Sequence, residues 1–333
     1  MTHPILVEIT RGSKVESVHR GAISVLDASG VTVLNIGDTE VPVFPRSAIK
    51  AIQALPVIES GAADAYGFGN QELALCCASH NGEAEHVRLA RDMLSRAGLK
   101  ETCLECGGHW STRQHVLLEQ TKIYDETPPA ICNNCSGKHT GFVCTAAHLG
   151  IDLKGYIKPD HQIQIGINEA LQDLTGAAHD QDICGTDGCS IPTYAIPLTA
   201  MALGFAKMAT GNGLSRNRAK AAKRLFTACM AEPFYVAGAR RFCTDFMSVG
   251  NGRLFAKTGA EGVFCGAIPE LGFGIALKCD DGSARGAEAM MAAVVAKLLG
   301  KNDPLYEPLK AMSNRAITNW NGIEVGTTRA IVG

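Results

Sequence analysis

Short runs of β-branched and apolar residues, separated by glycine, serine and aspartate, occur at both ends of the chain. Near the start they are "ILVEITRG", "GAISVLDASG" and "VTVLNIGD". Near the end they are "GRLFAKTG", "GVFCGAIP" and "GFGIALKC", with a last candidate in "GIEVGTTRAIV". Runs of this length, bounded by turn residues, are typical of antiparallel strands. The pattern therefore predicts a sheet that draws strands from both termini.

The middle of the chain follows a helical period instead. In "EAEHVRLARDMLSRAG" the apolar residues recur every three or four positions, with Asn81 or Gly82 available as the N-cap and Gly98 as the stop. The segment "SGKHTGFVCTAAHLG" has the same period and predicts a helix from Ser136 to Gly150. Two helices therefore follow each other within this part of the chain.

Two more segments have helical start and stop signals. "DHQIQIGINEALQDLTG" predicts a helix that begins at a capping Asp160 and ends at Gly176. Behind the C-terminal strands, "ARGAEAMMAAVVAKLLG" predicts a buried amphipathic helix from about Ala284 to Leu299. Lys297 and Gly300 interrupt this apolar stretch, so it falls short of a membrane span.

Together these elements predict an α+β fold in a single domain that comprises residues 1–333, because no segment has the composition of a linker. The antiparallel sheet would take its strands from about 1–45 and 250–333, and a large helical insertion would occupy about 46–249. Apolar residues make up 46% of the chain and charged residues 19%, which is enough to bury a large core.

Charge and targeting signals narrow the class of partner. Lysine and arginine number 31 against 33 acidic residues, so the chain lacks the basic excess that nucleic-acid binding favours. The N-terminus "MTHPILVEITRG" has no basic region before its apolar stretch, and we expect neither a secretory signal nor a membrane partner. Without a signal peptide, the 13 cysteines are expected to be reduced thiols in a cytoplasmic protein.

The segment "VPVFPRSAIKAIQ" places Ser47 three residues before Lys50. A Ser-x-x-Lys spacing arises by chance about once in a chain of this length, so a helix start with a surface lysine is the simple interpretation. The catalytic alternative is a serine nucleophile beside its base. Lysine serves as a base only when it is neutral, and lowering its pKa from about 10.4 to near 7 requires about 4–5 kcal/mol. Burial or a neighbouring cation can supply that amount.

Two further polar boxes support the catalytic interpretation. "SHN" contains Ser79, and "LFAKTG" places Lys257 on a predicted C-terminal strand, followed by Thr258 and Gly259. The order Ser-x-x-Lys, Ser-x-Asn, Lys-Thr-Gly is that of the penicillin-binding and serine β-lactamase group, whose boxes converge on one cleft. The resemblance to that group is partial, because the second box follows the first at a shorter separation.

A closer resemblance extends over nearly the whole chain. The blocks "FPRSAIKAIQ", "CCASHNGE", "CNNCSGKHTGF", "GTDGCSIP" and "AKTGAEGVFCGAIPELGFGIALK" together resemble the rhizobial-type asparaginase II family, also called class 3 L-asparaginases. The resemblance implies hydrolysis of L-asparagine to L-aspartate and ammonia. It also implies a fold related to serine β-lactamases and glutaminases, and a homodimer.

The resemblance makes Ser47 with Lys50, and Ser79 with Lys257, two serine–lysine pairs in one active site. We favour Ser47 as the nucleophile, because helix geometry would hold Lys50 beside it, and we expect Lys257 to depress the pKa of Lys50. Which serine attacks stays open at this point. The backbone N–H groups of Thr258 and Gly259, where the strand turns, are candidates for binding a developing oxyanion.

Two interpretations compete for the cysteines in the middle of the chain. Cys103, Cys106, Cys132 and Cys135 form two Cys-x-x-Cys pairs, a spacing compatible with a zinc ribbon and hence with a non-enzymatic interaction protein. The resemblance instead implies one Zn²⁺ site that is formed by Cys135, Lys138 and Cys189 beside the substrate. Two thiolates suit zinc, and a deprotonated amine is a possible third ligand.

Charged residues near these blocks are candidates for holding a free amino acid. Asp187 can receive the α-ammonium group, and Arg46 or His139 the α-carboxylate, with Lys138 also bordering the substrate. A glutaminase or a β-lactam-recognising hydrolase of the same fold remains the enzymatic alternative. Glutamine is one methylene longer than asparagine, which changes binding by only about 1–3 kcal/mol.

Overall fold

The computed structural model describes residues 3–178 and 183–332, and the strands and helices are numbered in chain order. The strands are β1 (Ile5–Arg11), β2 (Lys14–Asp27), β3 (Thr32–Ile36), β4 (Cys184–Thr186), β5 (Pro192–Tyr194), β6 (Phe255–Gly259), β7 (Val263–Ile268), β8 (Phe273–Cys279), β9 (Ala316–Thr318) and β10 (Glu324–Ala330).

One eight-stranded antiparallel sheet forms the centre of the molecule. Its strand order is β6-β7-β8-β2-β1-β10-β9, and β3 also pairs with β2. The long β2 bridges the two halves, because its first part pairs with β1 and its second part with β8 and β3. The prediction of an α+β fold with a sheet built from both chain ends is therefore confirmed.

Fourteen helices are defined in the described residues. They are α1 (Lys50–Gln53), α2 (Leu55–Glu59), α3 (Ala62–Ala65), α4 (Asn70–Cys76), α5 (Ala84–Arg96), α6 (Gln114–Gln120), α7 (Ser136–Leu149), α8 (Gln162–Thr175), α9 (Leu198–Thr210), α10 (Arg216–Ala231), α11 (Pro233–Ala237), α12 (Phe242–Gly250), α13 (Ala284–Leu299) and α14 (Tyr306–Ser313). None of the helices in these ranges is both long and apolar enough to cross a membrane.

Helices cover both faces of the sheet. The backbone of α9 passes close to Gly274 on one face, and Gly286 of α13 lies against the Cys279 thiol on the other. Residues 274 and 279 are an odd number of positions apart on β8, so they point to opposite faces. The insertion between β3 and β6 builds the α9 layer, and α13 with α14 builds the second layer.

The insertion differs from the prediction in its details. It also contains the two-stranded sheet β4–β5, whose short strands carry too few residues to show an alternating pattern. The cap of α5 is Glu83 rather than Asn81 or Gly82, since the Asn81 amide donates to Glu83 and to Ala239 O instead. The side chain that caps α8 is His161, one residue after the expected Asp160.

Candidate active site

The Ser47 turn is short and closely packed. Arg46–Ile49 is a 3₁₀ turn that precedes α1, and Arg46 has a φ of +51°, in the left-handed region. Strand β6 approaches this turn so closely that a Cβ on Gly259 would lie 2.5 Å from Pro45 O and 3.1 Å from Ala48 N. Only glycine fits there, which explains why the Lys-Thr-Gly strand ends at this position and brings β6 to the Ser47 turn.

Lys50 is fully buried and uses all of its donors away from Ser47. Its Nζ donates to Ala78 O at 2.5 Å, to Ser79 Oγ at 2.8 Å and to Cys135 Sγ at 3.1 Å. An ammonium group has three N–H donors, so none is left for Ser47. The expected Ser47–Lys50 contact is therefore replaced by a Ser79–Lys50 hydrogen bond.

Lys257 is also buried, on β6, and its Nζ donates to Thr258 O at 2.8 Å. Burial and then the neighbouring charge of Lys50 lower the pKa of Lys257 from 10.5 to about 7. We expected the depressed pKa at Lys50 and a direct Ser79–Lys257 pair. The expected pair is absent, because the Lys257 amine makes no hydrogen bond to Ser79 among residues 3–178 and 183–332.

The proposed metal ligands come together in the interior. Cys135 precedes the first turn of α7, Lys138 lies in that turn, and Cys189 lies in the turn between β4 and β5. Lys138 Nζ is 3.2 Å from Cys189 Sγ, and the thiols of Cys135 and Cys189 are hydrogen-bonded. All three residues are buried. The donor set of two sulfurs and one amine in contact fits a zinc ion once its protons are released.

Charge is distributed unevenly within this cluster. The hydrogen bond from Cys189, with the charges of Lys50 and Lys138, holds the pKa of Cys135 well below its ordinary value. The same bond, with burial, raises the pKa of Cys189. Burial opposes the charge on Lys138, but the two sulfurs outweigh it and raise the pKa of this lysine. The lowered pKa of Cys135 and the raised pKa of Lys138 together favour a thiolate beside an ammonium group.

The zinc-ribbon alternative lacks its geometry. No three of the four ribbon cysteines lie within ligand distance of one another in the part of the chain that the structure describes. Instead, Cys106 donates to Ala130 O and Cys132 to the Tyr124 hydroxyl. His19, Cys279 and Asp281 do lie at ligand distance from one another. This group contains none of the ribbon cysteines, and its Cys279 faces α13.

The predicted amino-acid receptors have partners within the protein. Arg46 Nε donates to Asp187 Oδ1 at 2.5 Å. Burial would raise the pKa of Asp187, but Lys138 and Arg46 together lower it. His139 is fully buried, bonds the Tyr156 hydroxyl at 2.6 Å, and has its pKa held well below its ordinary value by burial. A neutral buried imidazole does not suit a carboxylate, so the expectation for His139 finds no support.

A hydrogen-bonded loop around Ser79 escaped the sequence interpretation. Asn81 donates to Glu83, and its Oδ1 accepts from Arg241 Nη1 at 3.0 Å. The same Nη1 is 3.4 Å from Ser79 O, so Arg241 contacts the loop at two points. Arg241 stands in "GARRFC", which matches no catalytic motif, and its 160-residue separation from Asn81 gave no local signal.

An apolar cavity of about 530 Å³ lies between α5 and α6. Val87, Val116 and Ile123 are among its walls, and Gly82 and Glu83 connect it to the Ser79 loop. Neither serine of the predicted pairs and neither lysine lines it. The cavity is therefore separate from the place where the polar residues converge.

Several solved structures match this chain at low sequence identity. Mglu, a glutaminase, in its native form matches with a TM-score of 0.46 and 15% identity, over 86% of this chain and 66% of that one. This chain thus spans slightly less than two thirds of Mglu. A β-lactamase from Mycobacterium bovis matches with a TM-score of 0.42 and 13% identity, over 83% and 94%.

The D-alanine carboxypeptidase AmpC from Burkholderia cenocepacia matches with a TM-score of 0.39 and 12% identity, over 82% of this chain and 93% of that one. No curated protein matches the chain. The family model described as L-asparaginase II matches residues 7–330, which include all the strands from β2 to β10 and every helix described above. On this match the chain belongs to the L-asparaginase II family of amidohydrolases.

Proposed function

We propose that this protein is an L-asparaginase that hydrolyses the side-chain amide of L-asparagine to L-aspartate and ammonia. Family membership supports the reaction class. The observation that carries the proposal is that β6, which holds the buried Lys257, packs against the Ser47 turn, while the buried Lys50 donates to Ser79. A serine nucleophile and a lysine base are sufficient for amide hydrolysis.

The proposed chemistry has two half-reactions. Ser47 Oγ attacks the amide carbon while a neutral lysine takes its proton, and the protonated amide nitrogen then leaves as ammonia. Water then attacks the resulting ester and gives a proton to the same base. The base returns this proton to the serine oxygen while L-aspartate is released. Each half-reaction therefore needs a lysine that can both accept and donate a proton.

Lys257 suits this role better than Lys50. Its pKa of about 7 leaves a large neutral fraction at neutral pH, which is the condition for general-base catalysis. Lys50 instead holds the Ser79 hydroxyl through its oxygen, so the Ser79 proton is free to point toward the substrate. We assign Lys257 as the base, and Ser79 as the residue whose hydroxyl proton can be donated to the substrate.

Cys135, Lys138 and Cys189 would hold one zinc ion beside this site. A bound zinc ion would supply a fixed positive charge that orients the amino acid, and the serine remains the nucleophile. Asp187 lies two residues before Cys189, and its Oδ2 is 3.7 Å from that sulfur. A metal on Cys189 would therefore hold the Asp187 loop in place for the α-ammonium group of the substrate.

Ammonia release from L-asparagine and L-glutamine, compared in the parent protein and in Ser47→Ala and Ser79→Ala, tests the proposal. Ser95→Ala, on the exposed face of α5, is the matched control. We expect Ser47→Ala to lose several orders of magnitude in kcat, and the control to keep the parent rate. Near-normal turnover in a folded Ser47→Ala protein would transfer the nucleophile to Ser79. No ammonia from asparagine in the parent would reject the function.

A further inference from the structure

The cations expected to bind a substrate carboxylate are already occupied. Arg46 pairs with Asp187, and Lys138 donates to Cys189. Lys50 uses its donors on Ala78 O, Ser79 and Cys135. An amino-acid substrate nevertheless brings one α-carboxylate into this site, and a carboxylate removed from water needs a charged donor.

Arg241 is a cation near Ser79 that forms no ion pair within the described part of the chain. Its hydrogen bonds go to the uncharged oxygens Ser79 O and Asn81 Oδ1, both from Nη1. No carboxylate among the described residues lies within 4.0 Å of the Arg241 guanidinium. The nearby Glu288 forms its ion pair with Arg315 instead. The guanidinium is therefore held in position without a carboxylate in direct contact, although the charges of Glu288 and Glu83 act on it.

The unused edge of Arg241 has the geometry that a carboxylate requires. Nε and Nη2 donate to no residue in the described ranges, and neither is among the buried side-chain atoms that lack a partner. These two nitrogens form one side of the planar guanidinium, which binds both oxygens of a carboxylate through parallel N–H···O bonds. These two parallel donors are thus without a protein partner in the described ranges and keep some accessible surface.

The backbone that presents Arg241 is conformationally unusual. Arg240, directly before it, has a φ of +58°, and Gly238 has a φ of +103° with its Cα against the Asn81 amide. A non-glycine residue in the left-handed region costs about 1 kcal/mol or more and persists where the surroundings fix it. Contacts between this segment and Asn81 therefore fix the Arg241 side chain against the Ser79 loop.

We propose that Arg241 binds the α-carboxylate of the substrate through Nε and Nη2, and so selects α-amino acid amides over simple amides. The inference rests on the proposed function, because it assigns the substrate of the same site. In asparagine a single methylene separates the α-carbon from the reacting amide carbon, so the carboxylate must lie close to the serines. Arg241 meets that condition, since it already contacts the main chain of Ser79.

Two substrates that differ only in the carboxylate test the assignment. L-Asparagine and 3-aminopropanamide share the amine and the amide, and only asparagine has the α-carboxylate. We expect the parent to prefer asparagine, and Arg241→Gln to lower kcat/KM for asparagine about a hundredfold, mainly through KM. Turnover of 3-aminopropanamide should change by less than about threefold, so the preference disappears.

Matched variants separate binding from loop support. Arg241→Gln keeps an amide donor for the Ser79 loop. Arg241→Lys keeps the charge without the paired donors and should fall between the parent and Arg241→Gln. Arg240→Gln removes a neighbouring exposed charge and should match the parent. If the parent turns over no 3-aminopropanamide, its inhibition constant against asparagine is compared instead.

An equal loss for both substrates, or an unchanged KM for asparagine in Arg241→Gln, would overturn the assignment and leave Arg241 a structural role. A parent that releases no ammonia from asparagine is a different result, which rejects the function itself. In that case L-aspartate binding, measured by calorimetry in parent and Arg241→Gln, still decides whether Arg241 receives the carboxylate: equal affinity would overturn it.

Discussion

Replacing Lys257 by methionine should abolish activity and make the protein more stable at neutral pH. The side chain is 1% exposed, and methionine has a similar length without the charge. The folded protein lowers the pKa of Lys257 from 10.5 to about 7, by burial and then by the charge of Lys50. In the unfolded chain the same lysine is solvated and protonated. Folding at neutral pH therefore requires this site either to release a proton or to bury a charge.

The linkage between protonation and folding gives the size of the effect. At about 1.4 kcal/mol per pKa unit, the shift of Lys257 destabilises the folded state by about 4 kcal/mol at pH 7. Methionine removes that term, but it leaves Thr258 O without its donor, which costs about 1–3 kcal/mol. We expect a net gain of about 1–3 kcal/mol in the free energy of unfolding at pH 7, in a variant without asparaginase activity.

The sign of the pH dependence identifies the cause. The folded pKa is depressed, so between pH 7 and 10.5 the unfolded state binds more protons and the stability of the parent rises with pH. The methionine variant lacks this gain, and its advantage should shrink by about 2 kcal/mol between pH 7 and pH 9. Urea unfolding of both proteins at a fixed protein concentration measures the difference.

Lys14→Met provides the control, because Lys14 is an exposed lysine at the start of β2 and its replacement measures what the loss of a surface lysine does to stability. A methionine variant at position 257 that is less stable than the parent by the same amount at both pH values would refute the reasoning. Lys257 would then be charged in the folded protein, and another group would have to serve as the base.

The remaining predictions concern the base, the metal and the approach of β6. Because the base must be neutral, kcat/KM for asparagine should rise with pH through an apparent pKa of about 7, and a flat profile from pH 6 to 9 would exclude Lys257. Replacing Cys135 and Cys189 by serine should remove bound zinc in elemental analysis and raise KM more than it lowers kcat; full zinc content would place the metal elsewhere. Gly259→Ala should lower kcat about tenfold or more, because its Cβ would lie 2.5 Å from Pro45 O. The control Gly166→Ala, in α8, places its Cβ in open space and should keep full activity. Equal rates for the two variants would show that the Ser47 turn can shift without loss of activity.

Local patterns predicted the elements whose side chains face the core. Helix α13 begins and ends at the predicted Ala284 and Leu299, and α7 and α8 stop at Gly150 and Gly176. The first half of β2 was not predicted, because residues 14–18 pair with β1 while their side chains are exposed or half-exposed. Polar residues there give no alternating pattern, and backbone pairing alone makes them a strand.

Partners of buried polar groups could not be predicted in the same way. The Ser-x-x-Lys spacing made Lys50 a candidate site residue, but Ser79 and Cys135, to which it donates, are 29 and 85 residues away. A buried amine such as that of Lys50 needs hydrogen-bond acceptors, and the tertiary fold determines which acceptors are near it. The lowered pKa of Lys257 could not be predicted either, because burial and neighbouring charge are properties of the folded site.

The proposed base, Lys257, and the proposed carboxylate site, Arg241, lie in a region with an excess of positive charge. Burial lowers the pKa of Lys257 most, the charges of Lys50 and Arg241 lower it further, and Cys243 and Cys135 offset them only in part. Cations crowded into a buried site cannot all stay charged, so the one with the least hydrogen-bonded support releases its proton. Lys50 has three acceptors and Arg241 keeps its charge through resonance, whereas Lys257 has one carbonyl.

The same excess of positive charge attracts an anion, and a substrate carboxylate on Arg241 would partly cancel its charge. Binding of asparagine should therefore raise the pKa of Lys257, so the apparent pKa of kcat should lie above that of kcat/KM. Equal values in the two profiles would show that the carboxylate binds too far from Lys257 to act on it.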